Sequence, residues 1–108
     1  MKAVTLINCF EIPAGREDDF FRLWQQVNAY MQTKPGYIGH TLYRSLTPNA
    51  SFCFVNVADW ASAEHFHAAH DEAFRAMVSQ PDWAAFRYHP FLYEAVHEGH
   101  AEVASAAA

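Results

Sequence analysis

The chain has no run approaching the roughly 18 to 20 consecutive apolar residues of a membrane span. After Met1-Lys2 it passes straight into a strand pattern, with none of the layout of a secretory leader. Both absences lead to the expectation of a cytoplasmic protein with no membrane partner. Basic residues are few, seven against twelve acidic, and they stand singly in a chain of formal net charge -5. That distribution offers no footprint for a phosphate backbone, so nucleic acid is not an expected partner. Cysteine is scarce as well. Cys9 and Cys53 do not form a Cys-x-x-Cys pair, which removes the signal for a structural zinc site or a thioredoxin-like motif. Each lies in an apolar strand pattern, where a reducing compartment keeps it as a small core hydrophobe; a disulfide between neighbouring strands is the alternative. Histidines are present but not in ligand spacing. His65 and His67 fall on different faces of one predicted helix, and His40, His89, His97 and His100 are far apart in the chain, so no metal is expected.

What the chain does have is large apolar side chains. Aromatic residues make up 16% of its 108 positions and charged residues only 18%. The length fits a single domain with a modest core. That domain is expected over residues 1–98, with residues 99–108 as a loose polar tail. The apolar surplus predicts that part of the surface meets another subunit.

The β-branched stretch from Ala3 to Glu11 predicts a strand, stopped by Pro13 and Gly15. Val4, Leu6, Asn8 and Phe10 share one side and Thr5, Ile7 and Cys9 the other, so both faces require cover. Glu17, Asp18 and Asp19 then open a helix that runs to about Thr33, with Phe20, Leu23, Trp24, Val27 and Met31 as its buried stripe and Lys34-Pro35-Gly36 as its stop. A strand is expected from Tyr37 to Leu46, with Tyr37, Gly39, Thr41 and Tyr43 on one face and Ile38, His40, Leu42 and Arg44 on the other. The turn residues Thr47-Pro48-Asn49-Ala50 join it as a hairpin to a strand from Ser51 to Trp60. Ser62 is the expected cap of the next helix, and Asp71 caps a second helical piece through Val78, with a kink near His70. Pro81-Asp82 breaks the helix, a short turn forms around Trp83, and the last strand is expected over Phe91 to His97.

This order is an α+β, ferredoxin-like βαββαβ plan with a four-stranded antiparallel sheet. Two helices cover one face of such a sheet, yet the strands are apolar on both. A second copy packed sheet against sheet satisfies the other face, so a homodimer forming an α+β barrel is expected.

Polar residues on apolar faces mark the candidate site. Asn56 stands among Phe52, Phe54, Ala58 and Trp60 on one strand face, where it requires a partner, a water or a ligand. His70 lies on the helical stripe of Phe66, Ala73, Phe74 and Met77. Each has an ordinary structural reading too: a satisfied core histidine, an amide bonded across the sheet, a tryptophan closing a strand. Asn8 can equally mend a local bulge. Tyr43 and Tyr93 read as core or interface aromatics whose hydroxyls can reach a cavity.

With Asn56-x-x-x-Trp60 and the opening Ile7-Asn8-Cys9-Phe10-Glu11-Ile12-Pro13-Ala14-Gly15, the chain resembles the antibiotic biosynthesis monooxygenase family of dimeric α+β barrels over roughly Ala3 to Glu98. In its cofactor-independent branch an Asn-x-x-x-Trp pair, followed six residues later by a tyrosine, surrounds an aromatic polyketide substrate and its dioxygen adduct. Asn56 and Trp60 match the pair, and Phe66 occupies the tyrosine position. In the haem-degrading branch Asn8 matches the first-strand asparagine, whereas Ala69 and Val78 stand at the tryptophan and ligand positions. The resemblance implies a monooxygenase without cofactor that oxidises a hydrophobic anthrone or quinol-like aromatic. Asn56, Trp60 and His70 are its expected catalytic residues, and Asn8, Trp24, Phe66 and Phe74 line its substrate. His70 is expected to act as a base or proton shuttle, Asn56 together with Asn8 as donors to oxygen, and Trp60, Phe66 and Trp24 as a dry wall. Haem binding or degradation is one alternative, and a non-catalytic module holding a small apolar ligand is another.

Overall fold

The computed structural model describes residues 2–102. Its elements are β1 (Val4–Glu11), α1 (Glu17–Met31), β2 (Tyr37–Arg44), β3 (Phe54–Trp60), α2 (Ala63–Ala69), α3 (Glu72–Val78), a 3-10 turn (Pro81–Trp83) and β4 (Arg87–Tyr93). The strands form one antiparallel sheet in the order β2-β3-β1-β4. This is the ferredoxin-like α+β plan that the alternation of periods predicts.

The two short helices begin where a side chain supplies a partner for their free amides. Ser62 Oγ accepts from the His65 amide at 3.1 Å, and Asp71 Oδ1 accepts from the Phe74 amide at 3.0 Å. The single stripe from Phe66 to Met77 is therefore two helices of seven residues with a break at His70, whose φ and ψ are −84° and 63°. The longer α1 has three acidic residues in its first turn. At its far end Gly36 adopts φ +84°, a conformation that favours glycine, and a Cβ there would meet the His65 ring at 2.3 Å.

The helices cover one face of the sheet. Phe20, fully buried on α1, is the centre of one cluster, with ring centroids 4.7 Å from Phe10, 5.0 Å from Phe54 and 5.5 Å from Phe86. Truncating such a side chain to alanine costs about 3–5 kcal/mol. A second cluster gathers Leu6, Met31, Ala58 and Ala69 around the fully buried Trp60. On the opposite face β1 and β3 present Ile7, Cys9, Val55 and Val57, and the edge strands present exposed Tyr43, Phe91 and Tyr93.

Two expectations about the strands need correction. The last strand lies at Arg87–Tyr93, four residues earlier than Phe91 to His97, and so contains Pro90. An edge strand tolerates a proline because only one of its sides is paired, and β4 pairs with β1 alone. The strict alternation expected for β2 also fails at its start. The register shifts between Tyr37 and Gly39, so Tyr37 pairs with Trp60 while His40 pairs with Ala58. This irregularity turns Tyr37 onto the helix-covered face, beside His40 rather than opposite it. Residues 94–102 form neither helix nor strand, and positions 103–108 of the expected tail lie outside the described residues.

Candidate functional site

Between the two clusters, under the helices, lies a cavity of about 80 Å³. Its floor comes from the middle of the sheet. Asn8 and Asn56 are directly paired across β1 and β3, which places two amides side by side in the layer of Leu6, Phe10, Ala58 and Trp60. Trp24, Val27, Asn28 and Met31 of α1 form one wall, and His70, Phe74, Val78 and Trp83 form the other. Tyr37 and Tyr88 close the ends nearest the edge strands.

The two amides differ in how they are satisfied. Asn8 Oδ1 accepts the backbone N–H of His89 at 3.1 Å, so that oxygen serves the β1–β4 ladder. Asn56 Oδ1 is buried without a hydrogen-bond partner among the described residues, and so is the indole nitrogen Nε1 of Trp60. A buried acceptor or donor left unpaired costs about 1–3 kcal/mol. Both orphans belong to residues that line the same cavity, four positions apart on β3.

His70 faces them from the helix break. Its Nδ1 lies 2.6 Å from the Phe66 carbonyl oxygen, which can only accept, so Nδ1 carries the proton and donates. In the neutral ring Nε2 is then the bare acceptor. Burial holds the His70 pKa below the ordinary histidine value, opposed by the Phe66 carbonyl; His67 lowers it further and Asp71 raises it. The imidazole sits between Phe66 and Phe74, with centroids 4.1 and 4.5 Å away, and is fixed in place by packing. Its backbone position is set from the next residue. Asp71 Oδ2 accepts both Tyr30 Oη and Lys34 Nζ at 2.7 Å, tying the start of α3 to the end of α1. These bonds depress the Asp71 pKa far below the carboxylate range, Lys34 first, then the Phe74 amide and Tyr30.

Of the residues that the sequence nominated, Asn8, Trp24, Asn56, Trp60, His70 and Phe74 line this cavity. Phe66 stands one layer behind. It backs the His70 ring and meets the Trp60 ring edge-on at 5.8 Å, so it shapes the site without forming its wall.

A polar group at the other end escaped sequence reading. Tyr37 Oη is hydrogen-bonded to His40 Nδ1 and donates to Asn28 Oδ1 at 3.4 Å in the alternative direction. Asn28 Nδ2 in turn donates to Gln32 Oε1 at 3.3 Å and lies 3.4 Å from His40 Nε2. Burial raises the Tyr37 pKa, opposed by the Asn28 hydrogen bond, so the phenol is protonated at neutral pH. The signal for Asn28 was available: it lies four residues after Trp24 and three before Met31, an amide on a buried stripe. Tyr37 offered no such signal, because the register shift at Gly39 reverses the face that alternation assigns to it.

Among the described residues no group of three or more His, Cys, Asp or Glu side chains is arranged to hold a metal ion. No described helix is long and apolar enough to cross a membrane.

The family model described as antibiotic biosynthesis monooxygenase matches residues 3–87. A candidate monooxygenase from Shewanella loihica PV-4 has a solved structure that is 28% identical, covers 90% of this chain and 97% of its own, and superposes with a TM-score of 0.80. SnoaB, a cofactor-independent oxygenase from Streptomyces nogalater, is 23% identical over 91% of this chain and 97% of its own, with a TM-score of 0.76. A variant of MhuD with two manganese protoporphyrin IX molecules bound per active site is 22% identical over 91% of this chain and 99% of its own, with a TM-score of 0.70. The likeness to SnoaB and to MhuD is one of fold. No curated protein matches the chain.

Proposed function

The chain belongs to the antibiotic biosynthesis monooxygenase family, and from that premise we propose that it oxidises an electron-rich phenolic ring with dioxygen, using no cofactor. The observation that carries this reading is that two residues on the floor of a mainly apolar cavity, Asn56 and Trp60, each hold a buried polar atom, Oδ1 and Nε1, without a partner among the described residues, and that His70 lines the same cavity. An unpaired donor and acceptor at that depth are costly in the empty protein and become favourable once a ligand oxygen or hydroxyl meets them.

The chemistry asks little else of the protein. His70 Nε2 removes a proton from the phenol, and the resulting anion donates electrons to dioxygen at a ring carbon that bears hydrogen. A carbon–oxygen bond forms, giving a peroxide that is protonated. Removal of the remaining hydrogen from that carbon makes a carbonyl while the O–O bond breaks and water departs. One oxygen atom enters the product and the other becomes water. Asn56 and the Asn8 amide nitrogen orient the oxygens, and Trp24, Trp60 and Phe74 exclude solvent.

The volume argues for a small substrate. An engineered cavity of about 150 Å³ takes up benzene, and this one measures about 80 Å³. A one-ring quinol therefore enters with less displacement of the walls than a tricyclic anthrone. Haem fits these residues poorly: Val78 and Ala69 stand where an axial ligand and its neighbouring indole are needed, and the cavity is far below the volume of a porphyrin. The sheet face opposite the helices, with Ile7, Val57, Phe91 and Tyr93, supports a homodimer built sheet against sheet.

The test is oxygen uptake with methylhydroquinone and with 1,8-dihydroxyanthrone, in chelator and without flavin, with ¹⁸O₂ label followed into product. The expected result is catalysed incorporation of one labelled atom, faster for the single ring. Uptake no faster than the buffer rate with both compounds would sink the proposal.

A further inference from the structure

The reaction just described needs an acid as well as a base, and the two cannot be the same group at the same moment. When the second hydrogen leaves carbon, a base must take it while the departing oxygen receives a proton. His70 is arranged for the first task, because its Nδ1–H is committed to the Phe66 carbonyl and burial favours its neutral form. Asparagine and tryptophan donate hydrogen bonds but do not release protons at working pH. The cavity walls contain two other side chains with an exchangeable acidic proton, Tyr37 and Tyr88. Tyr88 is 48% exposed, and among the described residues no side chain or backbone group is hydrogen-bonded to its hydroxyl. Tyr37 is half-buried, its ring meets Trp60 edge-on at 5.1 Å, and its hydroxyl is gripped by His40 and Asn28.

We propose that Tyr37 is the proton donor of the site and that His40 and Asn28 position and recharge it. The inference rests on the oxygenase reading above. In the step, Tyr37 Oη–H passes its proton to the distal oxygen of the peroxide as the O–O bond breaks. The O–O electron pair goes to the departing oxygen, which leaves as water, and the pair from the broken C–H bond closes the carbonyl. The His40 Nδ1–H passes its proton to Tyr37 Oη in the same motion, so no buried phenolate persists. The His40 ring, half-exposed and held edge-on by Trp24 at 5.4 Å, then recovers its proton from solvent. Asn28, braced by Gln32, orients the pair from α1. The register shift at the start of β2 makes this possible, because unbroken alternation would put Tyr37 on the opposite face of the sheet from His40.

The test compares Tyr37→Phe, His40→Gln and His70→Ala on methylhydroquinone, measuring kcat, KM, the solvent deuterium isotope effect and the product formed per dioxygen consumed. Tyr37→Phe removes one oxygen atom and retains the ring against Trp60, so the fold is kept. It is expected to lower kcat about 10²-fold with KM nearly unchanged, to abolish the isotope effect and to release hydrogen peroxide in place of product. His40→Gln keeps a hydrogen-bonding partner for the phenol but cannot relay a proton, and is expected to give a smaller loss of kcat with the same fall in coupling. If wild type is active and His70→Ala is impaired while Tyr37→Phe keeps full coupling and its isotope effect, the role of Tyr37 is overturned and the oxygenase reading stands. If wild type is inert, both fall together.

Discussion

Replacing Asn56 by leucine is expected to make the protein more stable and less active. The two side chains have the same branching and the same number of heavy atoms, so the substitution changes polarity with little change of shape. In the native protein Asn56 is 6% exposed and its Oδ1 has no hydrogen-bond partner. Relieving one such buried acceptor is worth about 1–3 kcal/mol. The added apolar contact with Ala58, Leu6 and the cavity wall works in the same direction, and crowding by the larger methyl groups works against it, with about 80 Å³ of free space to absorb them. The net expectation is a gain of about 1–2 kcal/mol, which for a domain of this size is a rise in Tm of roughly 5–10 °C. The substitution also removes the Asn56 Nδ2 donor proposed to orient the substrate oxygens, and turnover is expected to fall about 10²-fold, the usual loss when one oxyanion donor is removed. Asn8 is the internal control, since it is directly paired with Asn56 but accepts the His89 amide. Asn8→Leu strands that amide and is expected to destabilise by about 1–3 kcal/mol. Scanning calorimetry and urea unfolding with unchanged m-value measure both variants. A lower Tm for Asn56→Leu, with turnover retained, would show that the amide serves the fold and refute its assignment to the ligand.

His70→Ala is expected to cost 10²-fold or more in kcat, and the acid limb of the wild-type rate profile should lie below the ordinary histidine value of about 6.5, because burial lowers the pKa and the base must be neutral; a limb above 6.5 would contradict it. The same burial makes unfolding take up a proton, so the His70 contribution to stability is whole above about pH 6.5 and is lost as pH falls toward the lowered folded value, which urea midpoints across pH 4–8 will report. Asp71, also depressed, contributes above the ordinary carboxylate value and loses that contribution only in stronger acid; Asp71→Asn should flatten the acid end of the stability curve and lower Tm at pH 7. Gly36→Ala is expected to cost about 1–2 kcal/mol from its φ of +84° alone, and more from the clash with the His65 Cβ and ring; in a double-mutant cycle His65→Ala is expected to relieve only the ring's share of that clash, because its Cβ remains. If the homodimer proposed above forms through the uncovered sheet face, Phe91→Glu is expected to halve the mass measured by light scattering; an unchanged mass would remove this face from the proposed interface.

How far the sequence could be read depended on the range of the forces involved. The caps Ser62 and Asp71, the acidic opening of α1 and the break near His70 are local, and each is visible in four or five residues. The pairing of Asn8 with Asn56 was not visible, because register is fixed by contacts some fifty positions apart, although the period-two pattern did place both on the same kind of face. β4 was misplaced because its edge position, which licenses Pro90, is a property of the whole sheet. Tyr37 was assigned to the wrong face because a register shift leaves almost no trace in composition. Asn28 was overlooked in favour of its neighbour Val27, although both fall within one broad stripe. The polar residues nominated for chemistry were those breaking an apolar pattern, and the ones missed either broke it less visibly or lay beyond an irregularity.

The distribution of rigidity through the domain decides how a ligand gains access to so small a cavity. The floor cannot yield: β3 is paired on both sides, and shifting Asn56 or Trp60 would break the ladders to β1 and β2 together. α1 is also anchored, with Phe20 locked among Phe10, Phe54 and Phe86. The other wall is different. α2 and α3 have seven residues each, below the length at which a helix is stable by itself, and α3 buries none of its residues fully. They are held mainly by the Phe66–His70–Phe74 stack and by Asp71 bonded to Tyr30 and Lys34. A displacement of this pair would open the cavity with the paired strands intact and would carry His70 with it. On the proposed mechanism the base is carried by the two short helices and the oxygen-binding groups by the doubly paired strand, so the proposed set is complete only when the helices lie over the substrate.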